Sequence, residues 1–568
     1  MSSVLRLSKL TFHAGSQVGK PKLEIDLGTV LILVGPNNSG KSLCLRELED
    51  WCFGQDVARK VIDSIEVEWP EDPVVVEKLL RRLECPPPQG QFPLVGYFWI
   101  EHNTFRQDQA TRLHQLQVDQ VKSSVLQKSL NNLRTWLSAC YTIRLDGRTR
   151  FLLTDPQATG DLQLNPKNHL WALFADDDAR ARVRKLTEDA FGLYFVIDPT
   201  AMQTFRIRMS RRAPLTKVEE QSLDENAREF HAKAELIREL GDGIQAFVGL
   251  VSAVLSRQFR IILVDEPEAF LHPPLARRLG SNLAHISRER NATLVAATHS
   301  PEFLIGCLET VGDTIVVRLT YENEVASARV LKAAELAELT KDPLLRSTGV
   351  LDALFHKAAI VTESDSDRAF YDEINRRLLN ENRGIKDCLF RNAQNRQTVL
   401  RLVGPLRRIG IPAAAIVDLD LFEEAGTNWT ALLEACQVDS TLRSELEPRR
   451  VHLSEVFSGL KALPGEKRLI KSKGINALGT SDKKEAEVLL KQLSSHGLFL
   501  VPRGELESWL PHLNVKEHGS DWVVSVFSQI GQSDTDTNYL KPGTDDVWKF
   551  LDEIAEWVSN PKQGLGSE

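Results

Sequence analysis

Cysteine is sparse and scattered. The seven residues at 44, 52, 85, 140, 307, 388 and 436 form no Cys-x-x-Cys pair and match no histidine spacing. That pattern excludes a structural zinc ribbon and a disulfide framework. No apolar run approaches the roughly 18 residues of a membrane span; Ala246–Leu255 is among the longest and is too short. The N-terminal stretch MSSVLRLSKLTFHAG lacks a sustained apolar segment, so no signal peptide is expected. No internal repeat is visible. These absences predict a cytoplasmic protein with no membrane partner.

What is present is ordinary for a globular protein. Hydrophobic residues make up 42% and charged residues 26% of 568, with a mean hydropathy of −0.23. The length suggests about three or four modules. A net charge of −8 means that nucleic acid would have to be bound through local basic patches, while acidic clusters suit divalent cations.

Residues 29–34 (TVLILV) read as a buried strand and run into Gly35-Pro-Asn37-Asn38-Ser39-Gly40-Lys41-Ser42, followed by the helical stretch LCLRELEDW. Strand, Gly-x-x-x-x-Gly-Lys-Ser loop and helix together form a phosphate-binding unit. Gly35, Asn37, Asn38, Ser39 and Gly40 would wrap the phosphates of ATP, Lys41 would reach the β- and γ-phosphates, and the Ser42 hydroxyl would ligate Mg²⁺. A second buried run, Arg260–Val264, ends in Asp265-Glu266-Pro-Glu268. Asp265 suits the Mg²⁺ shell, and Glu266 suits orienting or deprotonating the attacking water. A third, Leu294–Thr298, ends in His299. Between the first and second lies Leu240-Gly241-Asp242-Gly243-Ile-Gln245 before an apolar helix. This order resembles ABC-type ATPases of the SMC and RecF kind, in which two heads sandwich nucleotide. The resemblance implies that Gly243 faces the nucleotide of a partner head and that His299 contacts the γ-phosphate. The family's Leu-Ser-Gly-Gly-Gln signature is altered at Gly241 and Asp242, which implies slow or regulatory hydrolysis.

The interval from Lys41 to Asp265 is long, so an insertion is expected at about 105–235. Val118, Val121 and Val125, then Leu130, Leu133 and Leu137, trace helix faces broken by a phase shift. They predict a helical subdomain suited to dimerisation. The alternation around Asp146-Gly147 predicts a β-hairpin. Arg206, Arg208, Arg211 and Arg212 read better as a solvated strand face than as a nucleic-acid contact.

Past residue 345 the pattern restarts. Lys357–Thr362 is a strand ending in Glu363, with Ser364 as N-cap of the next helix. Asp367 either joins Glu363 at one site or completes a capping box. Pro412–Val417 leads into Asp418-Leu-Asp420, whose two carboxylates would share one strand face about 6–7 Å apart and suit Mg²⁺ or Mn²⁺. VTESDSDRAFY followed by AAAIVDLDLF resembles a TOPRIM domain. An SMC-like ATPase followed by TOPRIM resembles the OLD (overcoming lysogenization defect) nucleases, a group that includes the Gabija nuclease subunit and related phage-defence effectors. By that resemblance Glu507, or in second place Glu505, adds a carboxylate and Lys541 adds a charge-stabilising lysine. The run from Glu466 through Lys467, Arg468, Lys471 and Lys473, with Lys483 and Lys484, either tracks a phosphate backbone or is a solvated helix face.

The expectation is an α/β chain in two parts: an ABC-type ATPase over 1–345, and a TOPRIM domain over 346–568 with a helical insertion at about 425–495. Glu363, Asp418, Asp420 and one of Glu505 and Glu507 would hold two divalent ions for phosphodiester cleavage, with DNA favoured over RNA. A homodimer or higher even oligomer and a helicase-like or other defence partner are also implied. The competing reading is a non-nucleolytic ATP-dependent scaffold or sensor. Topoisomerase and primase readings lack a DNA-cleaving tyrosine domain and a zinc ribbon respectively.

Overall fold

The computed structural model describes residues 5–560 apart from 18, 88, 89, 93, 96, 103–111, 257, 310–313, 323, 333, 334, 337, 338, 340–348, 425 and 461–466. The chain divides into two compact units between Val330 and Leu331, with the three residues Gly35–Asn37 grouped with the second. The boundary expected at residue 345 and the insertion limits near 105 and 425 lie outside the described residues.

The first unit is built on a six-stranded sheet. Its order is Val325–Leu331, Thr314–Glu322, Val30–Val34, Thr293–Ala297, Ile261–Asp265, Thr142–Leu145. Every residue of Val30–Val34 and of Thr293–Ala297 is buried. Burial on both faces explains why these strands read as unbroken apolar runs. Pairing across the five strands from Thr314–Glu322 to Thr142–Leu145 is parallel, with Ile32 opposite Ala296, Val264 opposite Ala296, and Leu145 opposite Val264. The loops after Val34, Leu145, Asp265 and Ala297 therefore leave from one edge.

Two expectations for the insertion change. Asp146-Gly147 makes no hairpin: Thr142–Leu145 is a parallel edge strand, and a short helix, Thr149–Leu152, follows. The Asp146 carboxylate accepts the Arg148 and Thr149 amides at 2.9 Å each, which starts a helix where a β-turn was expected. The helical stretch does form, as Val118–Leu126 and Leu130–Leu133 with a π-turn at Arg134–Ser138. Val118, Val121, Val125, Leu133 and Leu137 share one core with Leu31 and Leu33, so this stretch belongs to the first unit's own interior. An antiparallel pair, Tyr194–Asp198 with Thr204–Ser210, carries the basic run. Arg206 and Arg208 both bind the buried Asp198, Arg211 pairs with Glu235 and Arg212 with Glu219.

The second unit holds a four-stranded parallel sheet in the order Cys388–Asn392, Ala358–Thr362, Ala413–Val417, Leu498–Leu500. In chain order this is second, first, third, fourth. The connections leave the first and third strands in opposite directions, and the crevice at that switch point is where open parallel sheets bind ligands. Aromatic side chains form much of its core: Phe370 meets Trp522 edge-on at 5.2 Å, and Trp509 Nε1 donates to the Tyr371 hydroxyl at 2.9 Å. The insertion expected at about 425–495 is helical, as Thr427–Ala435, Ser440–Gly459, Leu469–Ser472 and Thr480–Ser494. Among the described residues no helix is long and apolar enough to cross a membrane.

One buried titratable group gives the first unit a pH dependence. His169 is fully buried, its Nε2 donates to the Leu153 carbonyl at 2.8 Å, and its Nδ1 has no partner. Burial pushes its pKa down to about 4. The unfolded chain therefore binds a proton, near pH 6.5, that the folded chain refuses. The stability is present above that pH and is lost as pH falls toward 4, by roughly 3 kcal/mol. Urea unfolding of the wild type and His169→Gln between pH 7 and pH 4 should show the wild type losing about that much more stability. Parallel losses in both proteins would contradict a buried neutral imidazole.

Candidate nucleotide and metal sites

The phosphate loop is shaped by its backbone. Gly35, Asn38 and Gly40 have φ of 140°, 63° and 96°, so successive amides turn inward as an anion cradle. The following helix, Lys41–Cys52, has no side-chain N-cap, which leaves its first amides for a ligand. Glu47 anchors the helix from beneath, accepting the amides of Lys60, Val61 and Ile62. Lys41 is buried and its Nζ donates to Ser39 Oγ at 3.3 Å. Burial pushes its pKa down to about 8 against the attraction of Asp265, Glu266 and Glu268. Asn37, Asn38 and Ser42 are exposed at the loop. Arg318 also comes here, because its register partner is Val34; nothing in its local sequence marks it.

Asp265 ends the strand beside the one that leads to His299, and Glu266 follows it. Glu266 adopts a left-handed backbone, φ 49°, and its amide donates to the Ala297 carbonyl at 2.8 Å. The His299 amide donates to Glu268 Oε1 at 2.7 Å, so the Asp-Glu-Pro-Glu turn and the histidine loop are tied together. Burial raises the Glu268 carboxyl above its ordinary range. Gly243 lies in the first turn of Asp242–Leu255, where an added Cβ would sit 2.7 Å from the Phe270 carbonyl. Within this chain its lack of a side chain serves packing. The donor chemistry of Ser42 and Asp265 suits Mg²⁺ bound with a nucleotide.

In the second unit the carboxylates gather at the switch point. Glu363 follows the first strand and accepts the Asp418 amide, at the end of the third, at 2.9 Å. Asp418 and Asp420 do not share an extended strand as expected. The strand ends at Val417, and Leu419–Glu423 is a 3₁₀ turn. The Leu419 amide donates to the Gly504 carbonyl at 2.8 Å, drawing the chain into that turn. Arg396 joins three acids: Nε to Glu363 at 2.9 Å, Nη1 to Glu424 at 3.0 Å, and Nη2 to Asp420. Lys471 lies 3.1 Å from Asp420 and 3.7 Å from Glu505, and Lys467 pairs with Glu505 and approaches Glu507 at 4.0 Å.

Negative charge remains in excess. Burial, then repulsion from Glu363, Asp367 and Asp420, pushes Asp418 up to about 8. Asp367 forms the capping box with Ser364, and burial raises it to about 6. Glu363, Asp367, Asp418, Asp420, Glu424, Glu505 and Glu507 outnumber the cations Arg396, Lys467 and Lys471, a balance that suits added divalent charge. These side chains do not yet converge as a ligand set. Among the described residues, the trio whose ligand atoms all lie within 4.8 Å of one another is His452, Asp482 and Glu485.

The structure thus brings Glu363, Asp418, Asp420 and Glu505 into one charge network. Glu507 sits at its margin, accepting the Gly519 amide at 2.9 Å. Lys541 is exposed, and among the described residues no hydrogen bond or ion pair joins it to these acids. The cations that reach them are Arg396, Lys467 and Lys471, each carried by a helix or loop whose approach depends on long-range packing. Glu466, which begins that basic run, lies outside the described residues.

Two substitutions test these sites. Lys41→Ala should weaken binding of a fluorescent ATP analogue by roughly ten- to a hundredfold; unchanged affinity would contradict the nucleotide site. Gly504 has φ 114°, and a Cβ there would meet the Lys471 carbonyl at 2.1 Å. Gly504→Ala should therefore cost the second unit about 1–3 kcal/mol, and an unshifted melting transition would contradict that close approach.

Residues 133–305 match the family described as "AAA domain, putative AbiEii toxin, Type IV TA system". That match includes the Asp265 strand and His299 and starts beyond the phosphate loop. No curated protein matches the chain in sequence. Among solved structures, an SMC head bound to the C-winged-helix domain of ScpA is 11% identical, with a TM-score of 0.33, covering 58% of this chain and 98% of its own. The SMC head domain from Thermotoga maritima is 14% identical at a TM-score of 0.29, covering 58% and 99%. An SMC head domain with an extended coiled coil, bound to the C-terminal domain of ScpA and derived from Pyrococcus furiosus, is 10% identical at 0.32, covering 60% and 99%. The cradle at Gly35–Ser42, the parallel strands that align it with Asp265 and His299, and the family match make the first unit an ATP-binding P-loop ATPase domain.

Proposed function

We propose that the protein is an ATP-regulated, divalent-metal-dependent endonuclease, with ABC/SMC-type heads in the first unit and a TOPRIM-like nuclease in the second. The observation that carries this reading is the junction of Glu363 with the Asp418 amide at the carboxyl edge of a parallel sheet, at its switch point, with Asp420 linked through Arg396. Glu363, Asp418, Asp420 and Glu505 would hold Mg²⁺ or Mn²⁺. A divalent ion there supplies a more acidic water and a counter-charge for the leaving oxygen. Arg396 and Lys471 draw the acids together and place positive charge where a phosphodiester would lie. Lys471 takes the role expected of Lys541.

DNA is the favoured substrate over RNA, because the sequence motifs resemble those of the OLD nucleases. Split ABC sites imply a homodimer or higher even oligomer, and the same resemblance supports a cytoplasmic antiphage role alongside a helicase-like or other defence partner. On this reading nucleotide held by Gly35–Ser42 controls cleavage in the second unit.

The test is supercoiled plasmid incubated with Mg²⁺ or Mn²⁺, with and without ATP, beside Glu363→Ala and Asp420→Ala. Metal-dependent nicking that both substitutions abolish, lowering the rate at least a hundredfold, is expected. Intact plasmid in every lane, with ATP still hydrolysed, would replace the nuclease reading with the scaffold or sensor.

A further inference from the structure

We infer that Arg150 is a positioning residue for ATP hydrolysis, fixing the Asp265-Glu266 turn and tying it to the helix that begins at Gly241-Asp242-Gly243. The inference rests on the ATPase reading of the first unit and concerns how its hydrolytic residues are held.

Arg150 has no exposed surface. One nitrogen, Nη2, donates to the carbonyls of both Asp265 and Glu266 at 2.8 Å, and Nε donates to the Asp146 carbonyl at 3.0 Å. Nη1 is buried without a partner. Burying a guanidinium with one nitrogen unsatisfied is costly, and an apolar side chain would fill a purely structural position at less cost. What the arginine supplies is a fork aimed at the backbone of the two residues expected to serve the bound nucleotide. That backbone needs holding, because Glu266 is a non-glycine residue at φ 49°, a conformation that persists only where its surroundings enforce it. The Ala297 carbonyl takes the Glu266 amide from one side, and Arg150 takes its carbonyl from the other.

The other face of Arg150 meets the signature helix. An added Cβ at Gly249 would lie 2.8 Å from the Arg150 carbonyl and 3.4 Å from Leu153 Cβ. Displacement of Asp242–Leu255 therefore presses directly on the segment that carries the fork. The Asp146 turn sets the base of that segment through its bonds to the Arg148 and Thr149 amides. A shift of the Glu266 carboxylate by about 1 Å is enough to cost a hundredfold in rate, while the phosphate cradle at Gly35–Ser42 stays untouched. The residue thus governs turnover and leaves alone the Mg²⁺-free nucleotide affinity that the cradle sets.

The experiment measures steady-state ATP hydrolysis and fluorescent-nucleotide affinity for the full chain and for Arg150→Gln, Arg150→Lys and Gly249→Ala. Arg150→Gln should lower kcat at least about tenfold, with the nucleotide Kd measured in EDTA within about threefold of the wild type. Arg150→Lys should recover part of the rate, since an ammonium can reach one carbonyl. Gly249→Ala should lower kcat in the same sense without altering the guanidinium. Wild-type kcat in Arg150→Gln, or equal losses of kcat and affinity, would overturn the inference. If Arg150→Gln does not fold, wild-type kcat in both Arg150→Lys and Gly249→Ala overturns it, and a lowered kcat at retained Kd in both upholds it. A wild type that hydrolyses no ATP contradicts the ATPase reading and the inference with it.

Discussion

Parallel pairing places the carboxyl ends of neighbouring strands side by side, however far apart they lie in sequence. In the first unit Leu33 pairs with Ala297 and Ala297 with Asp265, so the phosphate loop, the acidic turn and His299 emerge on one edge. In the second unit Thr362 pairs with Ile416, and Glu363 one residue on and Asp418 two residues on emerge together. Parallel strands need long crossovers, and the insertions between motifs are carried there, off the working edge. A register slip of one residue would turn each of these side chains to the opposite face.

The two edges solve the problem of buried charge differently. Around the phosphate loop Lys41 and Arg318 face three acids, and the missing positive charge suits a nucleotide that brings its own Mg²⁺. At the second edge seven carboxyl groups are only partly balanced by Arg396, Lys467 and Lys471, and the added charge it suits is a cation. In both places burial raises the cost of the uncompensated state, so each site is poised for a ligand of the missing sign. The backbone contributes as well. Gly504, tight against the Lys471 carbonyl, lets the basic helix approach the acidic turn, and Glu266 keeps its left-handed geometry under flanking hydrogen bonds.

Much of this is legible in the sequence. The buried strands at 30–34, 261–265, 293–297, 358–362 and 413–417 declare themselves because burial on both faces leaves continuous aliphatic runs, and the chemistry follows at their ends. Asp146-Gly147 misled because the same dipeptide serves a β-turn or a side-chain-capped helix start, and only the Thr149 amide decides between them. The extended geometry expected for Asp418 and Asp420 failed because the Gly504 carbonyl, far along the chain, captures Leu419. Arg150, Arg318 and Arg396 carry no local signature, and Lys471 shows only as one member of a basic run. Their roles come from which strand end or helix is packed beside them. Lys541 shows the converse, a position chosen by motif resemblance that the fold leaves exposed.

The claim most in need of a direct test is that the switch point of the second unit is a divalent-cation site. Crystals of the nucleotide-free protein grown with Mn²⁺ and measured at the manganese absorption edge would locate the ion without reference to activity. Anomalous density bounded by Glu363, Asp418 and Asp420, with Arg396 withdrawn from at least one acid, is the predicted result. No density there at saturating Mn²⁺, with Arg396 still bridging Glu363 and Asp420, would contradict it.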